Sequence, residues 1–326
     1  MNLAVSLPRG LELKNPIIAA SGTFGFGPEY ASLVDMSMLG GISVKGLSPD
    51  PWPGNPPPRV WETPMGLLNS IGLQNHGVEV FCQQDLPFLR DIGTRIIANI
   101  IGHTVDEYRQ VAARLSREPG IDALEVNISC PNIKEGGMSF GQDPDQAAQV
   151  MAAVRLETDL PVMVKISPNT TYPVEIAEAV ENSGADMISA INTLVGMAID
   201  VKHRRPALGG ITGGLSGPAL KPIALRIVYE VAQAVKIPIV GMGGISSAVD
   251  VVEFLMAGAS AVMVGTVTFQ YPRRMQEIVA ELPEIIKELG FDRLQDVVGS
   301  ALPGKSNAAH VMEEECQLPR PNGRVL

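Results

Sequence analysis

Leu124-Glu125-Val126-Asn127-Ile128-Ser129 is a short run, apolar at every second residue and halted by Cys130-Pro131. A run of this length, bounded by a proline and a polar loop, reads as a buried strand. Seven more runs of the same kind punctuate the chain: Pro16–Ala20, Gly41–Lys45, Arg95–Ile100, Val162–Ser167, Met187–Asn192, Pro238–Met242 and Ala261–Gly265. Between them lie stretches of helical period: Val105–Ser116, Pro144–Glu157, Val174–Ser183, Pro222–Val235, Ser247–Ala257 and Pro272–Leu289. Asp143-Pro144 sets a capping carboxylate before a first-turn proline, and Gly184 and Gly258 stand where helices end. Eight apolar strands alternating with helices predict an α/β fold, a (β/α)8 TIM barrel. A doubly wound open sheet is the competing reading, because it uses the same alternation. Pro8-Arg9-Gly10 marks a turn in a small N-terminal hairpin expected to close the barrel floor.

The barrel domain is expected over residues 1–303, followed by a tail, 304–326, with no periodicity and the acidic run Glu313-Glu314-Glu315. Two long loops follow strands and therefore belong to the catalytic face of a barrel. Gly46–His76 holds seven prolines and both tryptophans, and Pro131–Asp143 is rich in glycine and polar residues. Loops of this length serve function or are solvated excursions.

Composition narrows the classes. Of the 326 residues 45% are apolar and 18% charged, enough for a large core. A formal charge of -10 argues against nucleic acid or an anionic membrane as partner. The sequence has no apolar stretch of spanning length, and Met1–Gly10 lacks the pattern of a secretory signal. Three scattered cysteines, Cys82, Cys130 and Cys316, fit a reducing compartment, the cytoplasm, better than a disulfide framework. The four histidines form no metal-ligand spacing, so no metal site is expected.

Several residues could carry chemistry. Alternation puts Asn127 and Ser129 on one face of their strand and Val126 and Ile128 on the other. Cys130 then leaves the strand end, where a thiolate can act as nucleophile or proton acceptor; a buried inert cysteine is the alternative. Asn69, Asn99, Asn127, Asn132 and Asn192 lie near strand ends. Converging, they would suit a planar heterocycle with N–H and C=O edges; singly, each would cap a turn. Lys45 and Lys165 end apolar strands, either neutralising an anionic ligand or pairing with a neighbouring acid. Glycines gather in Gly209–Gly217, in Gly241-Met242-Gly243-Gly244 and at Gly265-Thr266. After the seventh and eighth strands such glycines can bring backbone N–H groups to a phosphate, or simply make turns. Neither a GxxxxGK[ST] loop nor a GxGxxG fingerprint is present.

Together these residues resemble the dihydroorotate dehydrogenases, over roughly Leu3 to Leu302. The most specific pieces are Asn69-Ser70-Ile71-Gly72-Leu73-Gln74-Asn75, Asn127 to Asn132, Ile191-Asn192-Thr193, Ile211 to Pro218 and Gly241 to Gly244. Cysteine at position 130 resembles class 1. Lys134 to Gly137 and Ile211 to Gly217 resemble the NAD-linked class 1B catalytic subunit. The resemblance implies an FMN barrel that oxidises dihydroorotate to orotate in pyrimidine synthesis. It makes Cys130 the base. It assigns the substrate to Lys45, Asn69, Ser70, Ile71, Gly72, Leu73, Asn127, Asn132, Asn192 and Thr193. FMN falls to Ser21, Lys45, Gly46, Asn99, Asn127, Lys165, Ile191 and Gly217, with its phosphate on Gly243, Gly244, Gly265 and Thr266.

Class 1B also implies a partner subunit carrying FAD and a [2Fe–2S] cluster, in a heterotetramer of two catalytic and two electron-transfer subunits. This sequence has no cysteine cluster to ligate iron–sulfur. Rival readings are a fumarate-linked class 1A enzyme, another FMN barrel acting on a pyrimidine, and a non-catalytic nucleotide-binding barrel. Gly136-Gly137 counts against the flavin rivals, and the intact Cys130, Lys45 and Lys165 against the last.

Overall fold

The computed structural model describes residues 1–129 and 139–304. The chain opens with an antiparallel pair, β1 (Val5–Leu7) and β2 (Leu11–Leu13). Val5, Leu7, Leu11 and Leu13 are buried while Ser6 and Glu12 face water, the period of a half-buried ribbon. The turn needs left-handed backbone at Arg9 (φ 55°) and Gly10 (φ 76°). Arg9 Nε donates to Asp186 Oδ1 at 2.7 Å, and Arg95 Nε donates to the Glu12 carbonyl at 2.8 Å. Asp186 and Arg95 stand at the starts of barrel strands, so the hairpin covers the floor, as expected.

The barrel begins with β3 (Ile17–Ala19) and β4 (Gly41–Ser43). An excursion carries β5 (Val60–Thr63) and β6 (Gly66–Asn69) outside it. The barrel resumes with β7 (Arg95–Ile100), β8 (Ala123–Asn127), β9 (Val162–Ile166) and β10 (Met187–Ala190). A second excursion holds β11 (Leu194–Met197), β12 (Ile199–Asp200), β13 (Arg205–Pro206) and β14 (Thr212–Ser216). Then β15 (Ile239–Met242) and β16 (Ala259–Val264) complete the ring, where Val262 pairs Ile17 and Val264 pairs Ala19. All eight barrel strands are parallel and follow chain order around a closed barrel. The open sheet is thereby excluded.

Most strands stop a residue or two before the sequence runs do. Lys45, Ser129, Ser167, Asn192 and Gly265 all lie past the last paired residue. There the chain peels off the barrel to form the loops of the upper face.

The helices are α1 (Val78–Val80), α2 (Leu86–Arg90), α3 (Val105–Leu115), α4 (Pro144–Arg155), α5 (Pro173–Asn182), α6 (Lys221–Ala234), α7 (Ala248–Met256), α8 (Arg274–Glu288) and α9 (Leu294–Val297). Asp143 accepts from the Gln146 amide ahead of Pro144, and Ser247 with Asp250 forms a reciprocal cap on α7. The sequence reading did not pick out α1 and α2, which a π-helical turn, Phe81–Asp85, joins into one segment. Between β3 and β4 there are only 3-10 turns, Pro28–Tyr30 and Met36–Met38, among the described residues. No helix of the described residues is long and apolar enough to cross a membrane.

The two excursions meet as a four-stranded antiparallel sheet, β11-β14-β6-β5. Both leave from C-terminal ends of barrel strands, so the sheet stands on the upper face. The Gly209–Gly217 cluster thus supplies β14. Its glycines have a packing reason: a Cβ on Gly213 would press on the Asn69 carbonyl, and one on Gly214 on Thr193.

Candidate active site

Parallel register sets a polar layer inside the barrel. Asn99 pairs with Glu125, Asn127 with Lys165, and Lys165 with Ser189. Residues two apart on a strand share a face, so Glu125 and Asn127 both point inward. Glu125 accepts from Ser43 Oγ at 2.7 Å, Asn99 Nδ2 at 2.6 Å and Ser189 Oγ at 2.9 Å. Lys165 is 7% exposed. Its ammonium has a long contact to Ser21 Oγ at 3.4 Å and lies 4.0 Å from Glu125 Oε1. An ammonium carries three N–H donors. Among the described residues, then, Lys165 keeps donor capacity for a ligand at the barrel mouth.

The amides gather beside it. Asn192 Nδ2 donates to Asn127 Oδ1 at 3.1 Å and to Ser129 Oγ at 2.9 Å. That double contact requires Asn127 and Ser129 on one side of the chain, as the alternation predicts. Asn192 Oδ1 accepts from the Thr193 amide at 2.8 Å. Asn69 Nδ2 donates to the Gly214 carbonyl at 3.2 Å, against the same glycine that abuts Thr193. Asn69, Asn127, Asn192 and Thr193 therefore form one connected group. Lys45 is half-buried and forms no ion pair with a described residue. Burial pulls its ammonium below the ordinary lysine range; Glu29 opposes this and Arg59 adds to it.

Ser70 to Leu73 lie in the irregular segment after β6, with a bend at Leu73. Gly72 (φ 71°) and Leu73 (φ 55°) are both left-handed, and a Cβ on Gly72 would strike Asn55. Asn55 Nδ2 donates to Ser70 Oγ at 2.9 Å, and Asn75 Nδ2 to the Leu73 carbonyl at 3.0 Å.

A second pole lies at the ends of β15 and β16. Gly243 (φ 127°) and Gly244 (φ 78°) adopt backbone closed to most side chains. A Cβ on Gly244 would stand 2.7 Å from the Lys221 amide nitrogen and 2.9 Å from the Gly217 carbonyl. These glycines are thus demanded by packing within the chain, whatever else they hold. The backbone N–H groups of Gly243, Gly244, Gly265 and Thr266 donate to no described residue. Four free N–H groups on adjacent strand ends suit an anion. Ile191 joins the two poles, its amide donating to the Met242 carbonyl at 2.9 Å. Gly46 sits beside Asn99, whose Oδ1 would be 3.1 Å from a Cβ there.

Cys130 and Asn132 lie outside the described residues. Of the cysteines, the buried Cys82 has its thiol pushed up to about 11, by burial first, which keeps it protonated at neutral pH.

The sequence reading missed Glu125 and Asn169. A charged residue inside an apolar strand run was the signal for the first. Asn169 Nδ2 donates to the Thr193 carbonyl at 2.9 Å and its Oδ1 accepts from the Val195 amide at 2.8 Å, so it fixes the Asn192-Thr193 corner. Nothing local marks it.

The family model described as dihydroorotate dehydrogenase matches residues 2–286. The chain belongs to the dihydroorotate dehydrogenase family. Among similar family members is the dihydroorotate dehydrogenase B (NAD(+)), catalytic subunit, of Anoxybacillus flavithermus, 55% identical over 297 residues, or 91% of this chain and 95% of that one. Proteins of the same description from Geobacillus kaustophilus and Trichlorobacter lovleyi are 53% and 52% identical, covering 94% and 92% of this chain and 98% and 99% of theirs. Each of these matches spans more than nine tenths of this dihydroorotate dehydrogenase family chain.

Proposed function

We propose that the chain oxidises (S)-dihydroorotate to orotate on bound FMN, as the catalytic subunit of an NAD-linked enzyme of pyrimidine biosynthesis. The observation that carries the reading is the connected pair of poles: neutral amides beside a buried, under-bonded Lys165, and free N–H groups at the ends of β15 and β16. The spare donors of Lys165 fit the acceptor edge of an isoalloxazine ring. The free N–H groups fit a phosphate, in a barrel position where phosphates commonly bind. Bound FMN would supply the two-electron acceptor for the hydride leaving carbon 6 of the substrate.

The chain's own residues do the rest. Asn69, Asn127, Asn132, Asn192 and Thr193 hold the pyrimidine ring and its carboxylate through paired donors and acceptors, with Ser70, Ile71, Gly72 and Leu73 closing one side. Lys45 stands between substrate and cofactor, and its partial desolvation strengthens its pull on an anionic ligand. Cys130 takes the proton from carbon 5. Ser21, Gly46, Asn99, Ile191 and Gly217 complete the cofactor's walls. The relatives are named as catalytic subunits of NAD(+) enzymes, which supports a partner subunit; in our reading that partner carries FAD and [2Fe–2S] and transfers the electrons, in a two-plus-two heterotetramer.

The test is anaerobic. The purified protein, loaded with FMN, should be yellow and bleach on adding dihydroorotate, while reducing NAD only when the partner subunit is present. A protein that cannot take up FMN removes the reading. Efficient NAD reduction by the single polypeptide removes the partner.

A further inference from the structure

Glu125 is a carboxylate with 0% exposure in the middle of a closed barrel. Leaving a charge there without partners would be prohibitive. Oε2 accepts from Ser43 Oγ on β4 and Asn99 Nδ2 on β7, and Oε1 accepts from Ser189 Oγ on β10. Lys165 on β9 faces Oε1 at 4.0 Å. Four other strands aim donors at this one group. A set of donors converging on both oxygens is what an ionised carboxylate requires, and contacts of 2.6 and 2.7 Å are in the charge-assisted range. Buried ion pairs give little net stability over apolar packing, so stability alone does not account for the arrangement.

Its position supplies the account. Lys165 pairs with Asn127, two residues beyond Glu125 along β8, so the lysine stands one layer nearer the mouth. At 4.0 Å the carboxylate attracts the ammonium without occupying its N–H groups. The carboxylate also claims Asn99 Nδ2, which turns Asn99 Oδ1 toward Gly46 on the mouth side.

We infer that Glu125 is a positioning residue of the flavin site. It is the counter-ion set 4.0 Å from the Lys165 ammonium, it orients the Asn99 amide, and its charge partly offsets that of Lys165. The inference rests on the FMN reading above. An ammonium beside the ring favours the anionic reduced flavin, and a carboxylate behind it weakens that preference.

The experiment is a spectroelectrochemical titration of bound FMN in wild type, E125Q and E125D. E125Q should shift the midpoint potential positive, because Lys165 is then unopposed. E125D keeps the charge and should restore most of the wild-type potential. An unchanged potential in E125Q, or an equal shift in both variants, would overturn the inference. Should E125Q not fold, wild type decides the matter by infrared spectroscopy at neutral pH with isotopically labelled glutamate. Among the described residues Glu125 is the one fully buried glutamate. A label-sensitive protonated-carboxyl stretch would sink the counter-ion role, and its absence supports an ionised Glu125. Wild type that takes up no FMN removes both readings, whereas FMN uptake with unmoved potentials removes this one alone.

Discussion

Asn192 Nδ2 donates to Asn127 Oδ1 at 3.1 Å, tying the loop after β10 to the end of β8. The same nitrogen holds Ser129, the last described residue before the Cys130 loop. One amide therefore sets the spacing between the substrate-binding asparagines and the start of the segment that carries the proposed base.

Asn192→Ala removes both bonds and leaves Asn127 Oδ1 and Ser129 without that donor. Asn127 Oδ1 keeps the Ser129 amide at 3.2 Å, so the loss falls on the hydrogen bonds Asn192 itself would make, each worth about 0.5–1.5 kcal/mol. The Michaelis constant for dihydroorotate should rise by about 10-fold or more, since about 1.4 kcal/mol is a factor of ten. FMN content should stay near wild type. Steady-state kinetics with an artificial electron acceptor reads the first, and the visible spectrum reads the second.

Lys165→Ala deletes the buried ammonium beside the proposed ring. The variant should retain FMN more weakly, and the bound flavin should become harder to reduce. Equilibrium dialysis and a redox titration measure the two effects. A potential equal to wild type would deny Lys165 its electrostatic role.

Gly244→Ala tests the second pole. At φ 78° a side chain is strained, and its Cβ would stand 2.7 Å from the Lys221 amide nitrogen. The loop must shift, and the free N–H groups of Gly243 and Gly244 shift with it. FMN affinity should fall while riboflavin affinity, which needs no phosphate site, changes little. Equal losses for both ligands would place the phosphate elsewhere.

Lys221 Nζ contacts Asp250 Oδ1 and Glu253 Oε2, each at 2.6 Å, next to that loop. Burial by itself would raise the Asp250 carboxyl, yet the Lys221 ammonium and donors from Ser246 and Ser247 hold it below its ordinary value. A depressed folded pKa gives stability that is complete above the unfolded Asp value of about 3.9 and is lost as pH falls through the folded one. Burial likewise pulls Lys221 down, and Asp250 and Glu253 outweigh it to leave a raised value. Its contribution is complete below about 10.4 and lost as pH climbs through the raised folded value. Asp250→Asn should therefore cost about 1–3 kcal/mol at neutral pH. The loss should shrink as pH drops below the ordinary Asp range. Urea melts across pH measure it.

Cys130→Ser replaces a thiol, a group whose free value is about 8.5, by a hydroxyl that scarcely ionises. FMN binding should survive. The anaerobic half-reaction with dihydroorotate should slow by at least about 10²-fold, the usual minimum for a positioned general base. Its rise with pH should move upward. Stopped-flow bleaching across pH decides it, and equal rates with equal profiles would remove Cys130 as the base.

Local sequence determined much of this protein. Eight short apolar runs, Asp143 ahead of Pro144, and the glycines after helices each act within a few residues, so the barrel strands and helix ends are legible without a partner. The segment from Val78 to Arg90 was not, because a π-helical turn at Phe81–Asp85 breaks the helical period and Pro87 interrupts it. The antiparallel sheet was not either. The glycines of β14 offer no side-chain alternation, and its bond to Asn69 spans 145 residues. Asn127, Asn192 and Lys165 could be chosen by residue type and position at strand ends, but their contacts could not. Only closure of the barrel decides that Ser43, Asn99, Lys165 and Ser189 surround Glu125. Strand formation depends on near neighbours, whereas the partners of a buried charge are whichever distant side chains the closed ring turns inward.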